Sequence, residues 1–466
     1  MNQNSTPGST RLPVNVLMRY GVGQTGTQIF RDTPAALLPV FMTTILGIPA
    51  WLAGIAILIP KLWVIICDPL IGAWSDRTAG TNGRTPFLVT GALLTSLGFY
   101  FLFSVSGFES EIATAALVSM IFLLSMTAFS AFSVPYLGIA ALLSTDTHER
   151  TRVFVYRMIF ATLGVLLGIG VAQPTVFWFG GGYDGWHAMG LIFGLICMVS
   201  MMGSALGLRP VLARVPVPKE APPPLREQFL ITMRNRPFRI LLSIHMIQTV
   251  GQACSYTVVA MVFIYLAGNV SLLLPFVIIM SLTGLCVQPL WMRLSRTMGK
   301  LPLFMWLCIG WCVITLTWVA IDYGAQMTVS LPLIGTVSVK ELLILLRGGL
   351  IGMTNVGFIL LITSLFTDSI YLGEEKGHVS MEGSYAGIWS ASEKLAFALG
   401  PLIAGVILSF FGFESSRGGI IEQSDSAMFG VLMIYSVVPL TFFLLSFLLI
   451  PSLTKALRHA NKPASA

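Results

Sequence analysis

The chain alternates long apolar runs with short polar gaps over nearly its whole length. A membrane-spanning helix needs about 20 mostly apolar residues, because backbone polar groups find no water to bond in hydrocarbon. The pattern therefore predicts an all-α membrane protein with twelve transmembrane helices. We place these spans at roughly residues 14–43, 48–74, 86–107, 112–144, 153–176, 187–208, 237–267, 271–292, 301–322, 340–366, 384–411 and 427–450.

Composition supports this assignment. Hydrophobic residues make up 55% of the 466 positions and charged residues only 10%, against about 25% charged in soluble domains. The polar residues 1–13 contain no signal-peptide core, so the first span is expected to direct insertion. The cysteines lie inside apolar runs without zinc-ligand or disulfide spacing, which predicts buried thiols and no cofactor; they are Cys67, Cys197, Cys254, Cys286, Cys308 and Cys312.

Charge distribution predicts the topology. An even number of spans puts both termini on one side, and the loops on that side carry most of the cations, among them Arg77, Arg150 and Lys300. The positive-inside rule then makes the termini cytoplasmic, in a plasma membrane, or the inner membrane if the source is bacterial. The net charge of +7 is explained by these loops, so we expect no nucleic-acid partner. We also expect a monomer.

The two halves of the chain resemble each other. Asp68-Pro69 recurs as Gln288-Pro289 and Thr145-Asp146 as Thr367-Asp368, at offsets of 220 and 222 residues. Parallel six-span repeats are typical of secondary carriers, whose substrate site lies between the halves. The predicted division is an N-terminal bundle at 1–208, a proline-rich cytoplasmic linker at 209–236, a C-terminal bundle at 237–454 and a cytoplasmic tail at 455–466.

Motifs of enzymes and ATP-driven pumps are missing from the sequence. Gly21-Val22-Gly23-Gln24-Thr25-Gly26 has the spacing of a dinucleotide-binding loop, but no strand precedes it and a spanning run follows. Neither a phosphate-binding loop with its lysine nor a hydrolase motif is present. We therefore expect no enzymatic activity.

Several segments carry a family resemblance: "YGVGQTGTQ", "KLWVIICDPLIGAWSDRT", "VPYLGIAALLSTDTHERTRVFVYRM" and "MEGSYAGIWSASEKLAFALG". They resemble the glycoside-pentoside-hexuronide:cation symporter family, the melibiose-permease-like branch of the major facilitator superfamily. The resemblance implies the major facilitator fold, with two pseudo-symmetric halves of six helices, and alternating access coupled to Na⁺, Li⁺ or H⁺.

A candidate cation site lies on the second and fourth spans. Asp68 interrupts an apolar run, and a charge at the bilayer centre costs about 2.5–3.5 kcal/mol, so such a residue is usually functional. The family pattern has a further acid at the position of Val64 and another at Ser133, with Ser130 one turn earlier. Because Na⁺ wants several oxygen ligands, the set Asp68, Ser130 and Ser133 favours H⁺ as the coupling ion over Na⁺. A purely structural role for Asp68 near the cytoplasmic gate remains the alternative.

The family's cavity positions are partly retained. Arg157 and Lys394 match cationic positions that line the central cavity, whereas Gln24 and Ser133 replace the acids and Leu137 the aromatic residue of the sugar clamp. The resemblance therefore disfavours a neutral galactoside as substrate.

Arg31 and Asp32 stand halfway along the first span, where relatives are apolar or hydroxylic. We expect Arg31 to face the cavity beside Arg157 and Lys394 and to bind an anionic group, with Asp32 or Glu393 balancing part of the charge. Adjacent helical residues point about 100° apart, so no regular pair between Arg31 and Asp32 is expected. The alternative is an internally compensated network that only locks the halves together.

Further candidates follow from position alone. Additional substrate-binding residues are expected at Gln248, Gln252, Asn355 and Trp389. Charges near helix ends can bond between the halves in one state and separate in another, so we expect gating roles for Asp76, Arg77, Asp146, Glu149, Arg150 and Asp368.

These observations predict a secondary active transporter, with H⁺ favoured over Na⁺ as the coupling ion, for a small organic and anionic substrate such as a uronide or glycoside. Its partners would be that small molecule and the lipid bilayer. Three alternatives remain: a carrier of lysolipid or another amphiphile, an uncoupled facilitator, and a non-transporting sensor.

Overall fold

A computed structural model describes residues 12–78, 84–143, 147–212, 230, 232–331, 335–374 and 382–460. The first half of the chain forms helices joined by short connections. The helix between Thr147 and Trp178 continues through one π-helical turn, Leu166–Val171. The elements are α1 (Val14–Thr44), α2 (Ala50–Thr78), α3 (Thr85–Leu102), α4 (Glu111–Leu143), α5 (Thr147–Val165), α6 (Ala172–Trp178) and α7 (Gly182–Leu212).

The second half repeats this arrangement with more interruptions. It contains π-helical turns at Val262–Leu266 and Met433–Val437 and 3₁₀ turns at Val270–Leu272 and Thr317–Ala320. An antiparallel hairpin pairs Thr328 with Ser338. The elements are α8 (Arg236–Met261), α9 (Leu273–Met298), α10 (Lys300–Leu316), β1 (Thr328–Leu331), β2 (Gly335–Ser338), α11 (Val339–Glu374), α12 (Glu382–Phe410), α13 (Asp425–Leu432), α14 (Val438–Phe447) and α15 (Ile450–Ala460).

The predicted all-α membrane architecture is confirmed. Within the described ranges, eleven helical stretches are long and apolar enough to cross a membrane. Helix α1 is not among them, because its glutamines, threonines and charges lower its hydropathy. Its 31 residues are nevertheless enough for a span of about 46 Å, and with it the spans number the predicted twelve.

Some predicted details differ. The third span was expected to reach residue 107, but α3 ends at Leu102, and the hairpin after α10 was not predicted. The expected tail begins inside α15, whose Ile450, Leu453 and Ala456 are buried against the second half. The predicted linker falls largely on residues 213–229 and 231, outside the described residues.

Helices α1–α7 and α8–α14 pack mainly within their own sets. In the first half α1 packs on α5 and α7, and α3 packs on α4 and α7; in the second, α8 packs on α12 and α14, and α9 on α11. The two sets meet where α2 packs on α12, α1 on α8, and α9 on the turn Leu166–Val171. Central residues of α1, α2, α8 and α12 therefore border both halves.

The end of the bundle away from the chain termini, which we call the outer end, is closed. Here the α1–α2 connection, Thr43–Ile48, lies against the segment Ser415–Gly419 that follows α12; we call these two segments the outer latch. Three backbone bonds join them: from Ser416 to Thr43 (2.8 Å), from Gly418 to Ile45 (3.0 Å) and from Gly419 to Thr44 (3.0 Å).

Close helix packing extends this closure inward. A Cβ atom on Gly405 of α12 would lie 2.2 Å from the carbonyl oxygen of Ala50, and one on Gly54 of α2 would lie 2.7 Å from that of Pro401. Only glycine allows α2 and α12 to approach this closely. Among the described residues, hydrogen bonds between the halves lie at this end and at the centre of the bundle.

Candidate substrate and cation site

A cavity of about 400 Å³ lies between the halves and is lined from α1, α2, α4, α5, α8 and α12. Its position at the centre of the bundle agrees with the site expected for a two-half carrier. The structure brings together eight of the residues predicted from sequence: Gln24, Arg31, Asp32, Asp68, Ser133, Arg157, Glu393 and Lys394.

A continuous row of hydrogen bonds runs along α1. Gln24, Gln28 and Asp32 are four residues apart and therefore lie on one face of the helix. The Nε2 atom of Gln24 donates to Oε1 of Gln28 (3.3 Å), and Nε2 of Gln28 donates to Oδ2 of Asp32 (2.7 Å). The row ends at an arginine on each side: Nε of Arg157 donates to Gln24 Oε1, and Nε of Arg31 to Asp32 Oδ1, both at 2.9 Å.

Arg31 and Asp32 form an ion pair, although the directions of adjacent helical residues predict no regular pair between them, and Asp32 balances part of the charge as expected. Asp32 is nearly buried, with 4% of its side chain exposed, whereas Arg31 is 62% exposed. The flexible arginine side chain bends back to its neighbour, and the fixed helical directions do not prevent this. Helix α1 also continues through Pro34 and Pro39. Arg31 thus lines the cavity as an ion-paired residue whose side chain remains largely exposed.

A second ion pair crosses between the halves. Lys394 of α12 binds Oδ2 of Asp68 on α2, and Oδ1 of Asp68 is buried without a hydrogen-bond partner. Asp68 is therefore not the isolated carboxylate that the sequence suggested. Glu393 lines the same cavity beside Lys394, but Lys394 pairs with Asp68. Within the proposed network of Arg31, Asp32, Glu393 and Lys394, Arg31 pairs with Asp32, whereas Lys394 pairs with Asp68 outside it.

The predicted cation site is only partly assembled. Ser133 lines the cavity with Asp68, as does Val64, which stands where relatives carry an acid. Ser130 is fully buried, its hydroxyl has no partner, and it lies outside the lining. In the described part of the chain no cluster of three or more His, Cys, Asp or Glu side chains is arranged to hold a metal ion.

Lys61 was missed by the sequence reasoning. It lines the cavity from α2, and its Nζ atom donates to the carbonyl oxygen of Phe397 on α12 at 3.0 Å. The sequence does indicate this residue, because Lys61 interrupts the apolar run "ILIPKLWVI" and so meets the same criterion as Asp68, a charge inside a membrane span. Tyr256 of α8 and Ser390 of α12 also line the cavity and were not predicted.

The cavity carries an excess of positive charge. Its lining holds four cationic side chains, Arg31, Lys61, Arg157 and Lys394, and three carboxylates, Asp32, Asp68 and Glu393. Two of the cations are ion-paired, Arg31 with Asp32 and Lys394 with Asp68. Arg157 donates to an amide and Lys61 to a backbone carbonyl, so both hold neutral acceptors.

Four predicted substrate residues lie outside this lining: Gln248, Gln252, Asn355 and Trp389. Gln248 is buried and donates to the hydroxyl of Ser446 at 2.8 Å, because its face of α8 packs on α14. Trp389 stacks on His245, with ring centroids 4.0 Å apart. Both contacts are internal to the second half. The side chains of Gln248 and Trp389, which were expected to face the cavity, therefore pack between helices of the second half.

The predicted gating residues are only partly described. Glu149 accepts from Leu12 N (3.0 Å) and pairs with Arg152 (2.8 Å), and Asp368 pairs with Lys300 (2.6 Å). Each of these partners lies in the same half as its acid. Asp146 and the side chains of Asp76, Arg77 and Arg150 lie outside the described residues. Among the cysteines, Cys286 is exposed, contrary to the expected burial of all six.

Two helical halves around a charged central cavity, closed at one end, define a secondary carrier of the alternating-access class. Residues 19–452 match the family described as MFS/sugar transport protein, and the chain belongs to it. This is the glycoside-pentoside-hexuronide:cation symporter branch of the major facilitator superfamily indicated by the sequence motifs. The chain is thus a multi-pass membrane transporter and not an enzyme.

Individual relatives are distant but cover nearly the whole chain. The chain is similar to the isoprimeverose transporter of Lactiplantibacillus pentosus, at 24% identity over 96% of this chain and 88% of the relative. It is also similar to the putative sulfoquinovose importer of Salmonella typhimurium, at 23% identity over 92% and 87%. Among solved structures, a bacterial homologue of the iron transporter ferroportin in an inward-facing state matches with a TM-score of 0.65, at 15% identity over 95% of this chain and 98% of that one; this likeness shows the fold alone.

Proposed function

We propose that this protein is a proton-coupled symporter that imports a small organic monoanion, such as a uronide or a glycoside bearing an acid group. The observation that carries this proposal is the charge of the cavity lining, four cations against three carboxylates. Uncompensated charge is costly inside a membrane. One bound anionic group alone would balance the formal charge of the cavity, and a proton taken up with it would give the loaded cavity the same net charge as the empty one.

Arg31 and Arg157 are the proposed anchors for the anion. Arg157 holds only a neutral amide, and the side chain of Arg31 is 62% exposed despite its pair with Asp32. A guanidinium presents a planar fork of donors that suits a carboxylate or sulfonate. Three apolar side chains of α4, Phe122, Met126 and Phe129, line the cavity as well and would pack against the C–H face of a sugar ring.

The names of the relatives are consistent with a sugar-like substrate that is either uncharged or anionic. Isoprimeverose is an uncharged disaccharide, whereas sulfoquinovose is a sugar that carries a sulfonate. The cationic excess in this cavity favours the second kind of substrate here.

The pair between Asp68 and Lys394 offers a route for coupling. A substrate anion that accepts a hydrogen bond from Lys394 competes directly with Asp68 for the ammonium. Asp68 is 14% exposed, and one of its oxygens already lacks a partner. A buried carboxylate deprived of its cation becomes neutral by binding a proton. Anion and proton would then be loaded together.

The same pair argues against Na⁺. A lysine ammonium already binds Oδ2 of Asp68 and neutralises the carboxylate whose charge a metal ion would need. The remaining predicted ligands are hydroxyls, and one of them, Ser130, lies outside the cavity lining. A hard cation prefers several oxygen ligands, including carboxylates.

We further propose a plasma-membrane location with both termini in the cytoplasm and a monomeric carrier. This orientation follows from the cations in the loops on the side of the termini. It places the closed outer end toward the outside of the cell, so that the described structure is closed to the exterior.

The proposal is tested in proteoliposomes suspended in a weakly buffered medium that contains an impermeant pH dye. Addition of methyl glucuronide outside should alkalinise the external medium, and Asp68→Asn should abolish this signal while substrate exchange continues. The matched control is Asp322→Asn, which removes an exposed carboxylate paired with Lys340 far from the cavity. Persistent alkalinisation in Asp68→Asn would contradict the role of Asp68; uptake only to equilibrium, without any pH change in the parent, would indicate an uncoupled facilitator.

An amphiphile such as a lysolipid is the second candidate. It is favoured by the apolar side chains in the lining, including Leu137, which is 48% exposed. A thermal-shift screen of uronides, sulfonated sugars, aromatic acids and lysolipids separates the two. Stabilisation by lysolipid alone would replace the small monoanion by an amphiphile.

A further inference from the structure

We propose that Lys61 is a second ligand for the anionic group of the substrate and that it links anion binding to the contact between α2 and α12. The inference rests on the proposed anionic substrate and assigns a specific cation to it. Lys61 lines the cavity from α2, whereas its present partner, the carbonyl of Phe397, belongs to α12 in the other half.

The partner of Lys61 exists because of a proline. In an α-helix the carbonyl of residue 397 normally accepts the N–H of residue 401. Residue 401 is a proline inside α12 and has no N–H. The carbonyl of Phe397 is therefore free to accept from outside the helix, and Lys61 Nζ fills this vacancy at 3.0 Å.

A neutral acceptor does not neutralise a lysine. The Lys61 ammonium has three donors, and one of them bonds to the carbonyl oxygen of Phe397. The neighbouring α12 residues Glu393 and Lys394, one turn before Phe397, line the same cavity. A carboxylate or sulfonate placed between these groups would be a stronger acceptor for Lys61 than the carbonyl, because charge-assisted hydrogen bonds are about twice as strong as neutral ones.

The bond also lies beside the closed contact. Pro401, which creates the free carbonyl, is the residue whose own carbonyl packs on Gly54 of α2. Transfer of Lys61 from Phe397 to the substrate would remove one hydrogen bond between α2 and α12 next to this contact. Anion binding would thereby loosen the outer end from within and lower the barrier between the two open states of the loaded carrier.

A purely structural Lys61 would only satisfy the Phe397 carbonyl, and Pro401→Ala separates the two roles. Alanine supplies the missing N–H, so Lys61 is no longer needed there. If Lys61 binds the anion, Pro401→Ala leaves it free to do so, and the double variant Lys61→Met/Pro401→Ala regains thermal stability without regaining anion affinity. If Lys61 is structural only, the double variant regains both.

The experiment measures binding of methyl glucuronide and of its uncharged counterpart methyl glucoside, by calorimetry, together with melting temperature. We expect Lys61→Met to weaken glucuronide binding about tenfold or more and to leave glucoside binding unchanged, with Lys61→Arg close to the parent. The control is Lys340→Met, which removes a lysine that also donates to a carbonyl, that of Leu266, outside the cavity. Lys61→Gln replaces the methionine variant if that protein is not recovered.

The outcomes distinguish this inference from the proposed function. If Lys61→Met and the double variant both keep the glucuronide affinity of the parent while Arg31→Gln abolishes it, the role of Lys61 is overturned. The proposed anionic substrate is then unaffected. No preference for glucuronide over glucoside in the parent protein would overturn both.

Discussion

The Nε atom of Arg157 on α5 donates a hydrogen bond to Oε1 of Gln24 on α1 at 2.9 Å. A cation of the cavity is thereby held in position by an uncharged amide. The amide belongs to a row that continues through Gln28 to Asp32. The arrangement orients the guanidinium without cancelling its charge, which is what a site for an anion needs.

Gln24→Glu should change the preferred charge of the substrate. Glutamate has the shape of glutamine, but its carboxylate would neutralise Arg157 through a charge-assisted bond worth about 1.5–3 kcal/mol. We expect anion affinity to fall about tenfold or more while thermal stability is kept. The measurement is a calorimetric titration with methyl glucuronide and methyl glucoside.

The control for this change is Gln423→Glu, an equivalent substitution in the exposed segment after α12, where the side chain bonds Glu414. Its titrations should match those of the parent. Undiminished glucuronide binding in Gln24→Glu would show that Arg157 does not contact the anion.

Arg31 and Asp32 distinguish ligand binding from a purely structural network. Arg31→Gln leaves Asp32, with 4% of its side chain exposed, without its cation, and should lower both stability and anion affinity. The double variant Arg31→Gln/Asp32→Asn removes both charges and should restore most of the stability. Anion affinity should remain low, because the guanidinium is still missing.

Thermal unfolding and ligand titration of the two variants and the parent check this prediction. Recovery of affinity together with stability in the double variant would favour the network that only locks the structure.

The sequence identified charged residues that line the cavity, but it did not identify their ion-pair partners. Arg31, Asp68 and Lys394 were recognisable because each interrupts an apolar run, where charge is costly. Lys61 met the same criterion and was overlooked beside the family motifs. Lys394 pairs with Asp68 and not with its sequence neighbour Glu393. This choice depends on helix rotation and on packing between the halves, which the order of residues along the chain does not reveal.

The fold was predictable to the extent that hydrophobic periodicity determines it. Spans were recognised even where proline interrupts them, as in α1 and α12. The outer latch and the hairpin Thr328–Ser338 are held by backbone hydrogen bonds, which no side-chain pattern encodes. The polar face of α8 was misassigned for a related reason: Gln248 finds its partner, Ser446, inside the bundle.

Val64→Asp should create a response to Na⁺. Val64 is 3% exposed and lines the cavity one turn from Asp68. A second carboxylate on this face would add oxygen ligands and would compete for Lys394. We expect NaCl, compared with choline chloride, to raise the melting temperature of this variant only; occupancy at 100 times the Kd would add about 2.7 kcal/mol. Val64→Asn is the isosteric uncharged control.

Equal salt responses of Val64→Asp, Val64→Asn and the parent would show that a missing carboxylate does not explain the poor Na⁺ site. A response of the parent itself would contradict the preference for H⁺.

Two glycines with the same backbone conformation test the outer latch. Gly47 and Gly268 both have φ near 71°, so alanine costs about 1–2 kcal/mol of left-handed strain at either position. Only at Gly47 would the new Cβ lie 2.6 Å from Cγ of Arg417; at Gly268 it would meet nothing within 4 Å. Displacement of Arg417 would also break its bond to the carbonyl of Glu109, now 2.8 Å long.

Gly47→Ala should therefore favour the state that is open at the outer end, whereas Gly268→Ala should leave the balance of states unchanged. A cysteine at Val40, which is 1% exposed and lines a small crevice under the latch, reports on opening through its reaction with an impermeant maleimide. The background carries Cys286→Ser, because Cys286 is exposed. We expect faster labelling in Gly47→Ala and the parent rate in Gly268→Ala, since strain is common to both variants and contact with Arg417 is not. Equal rates in the two variants would mean that backbone strain alone was measured and that the latch does not hold the outer end closed.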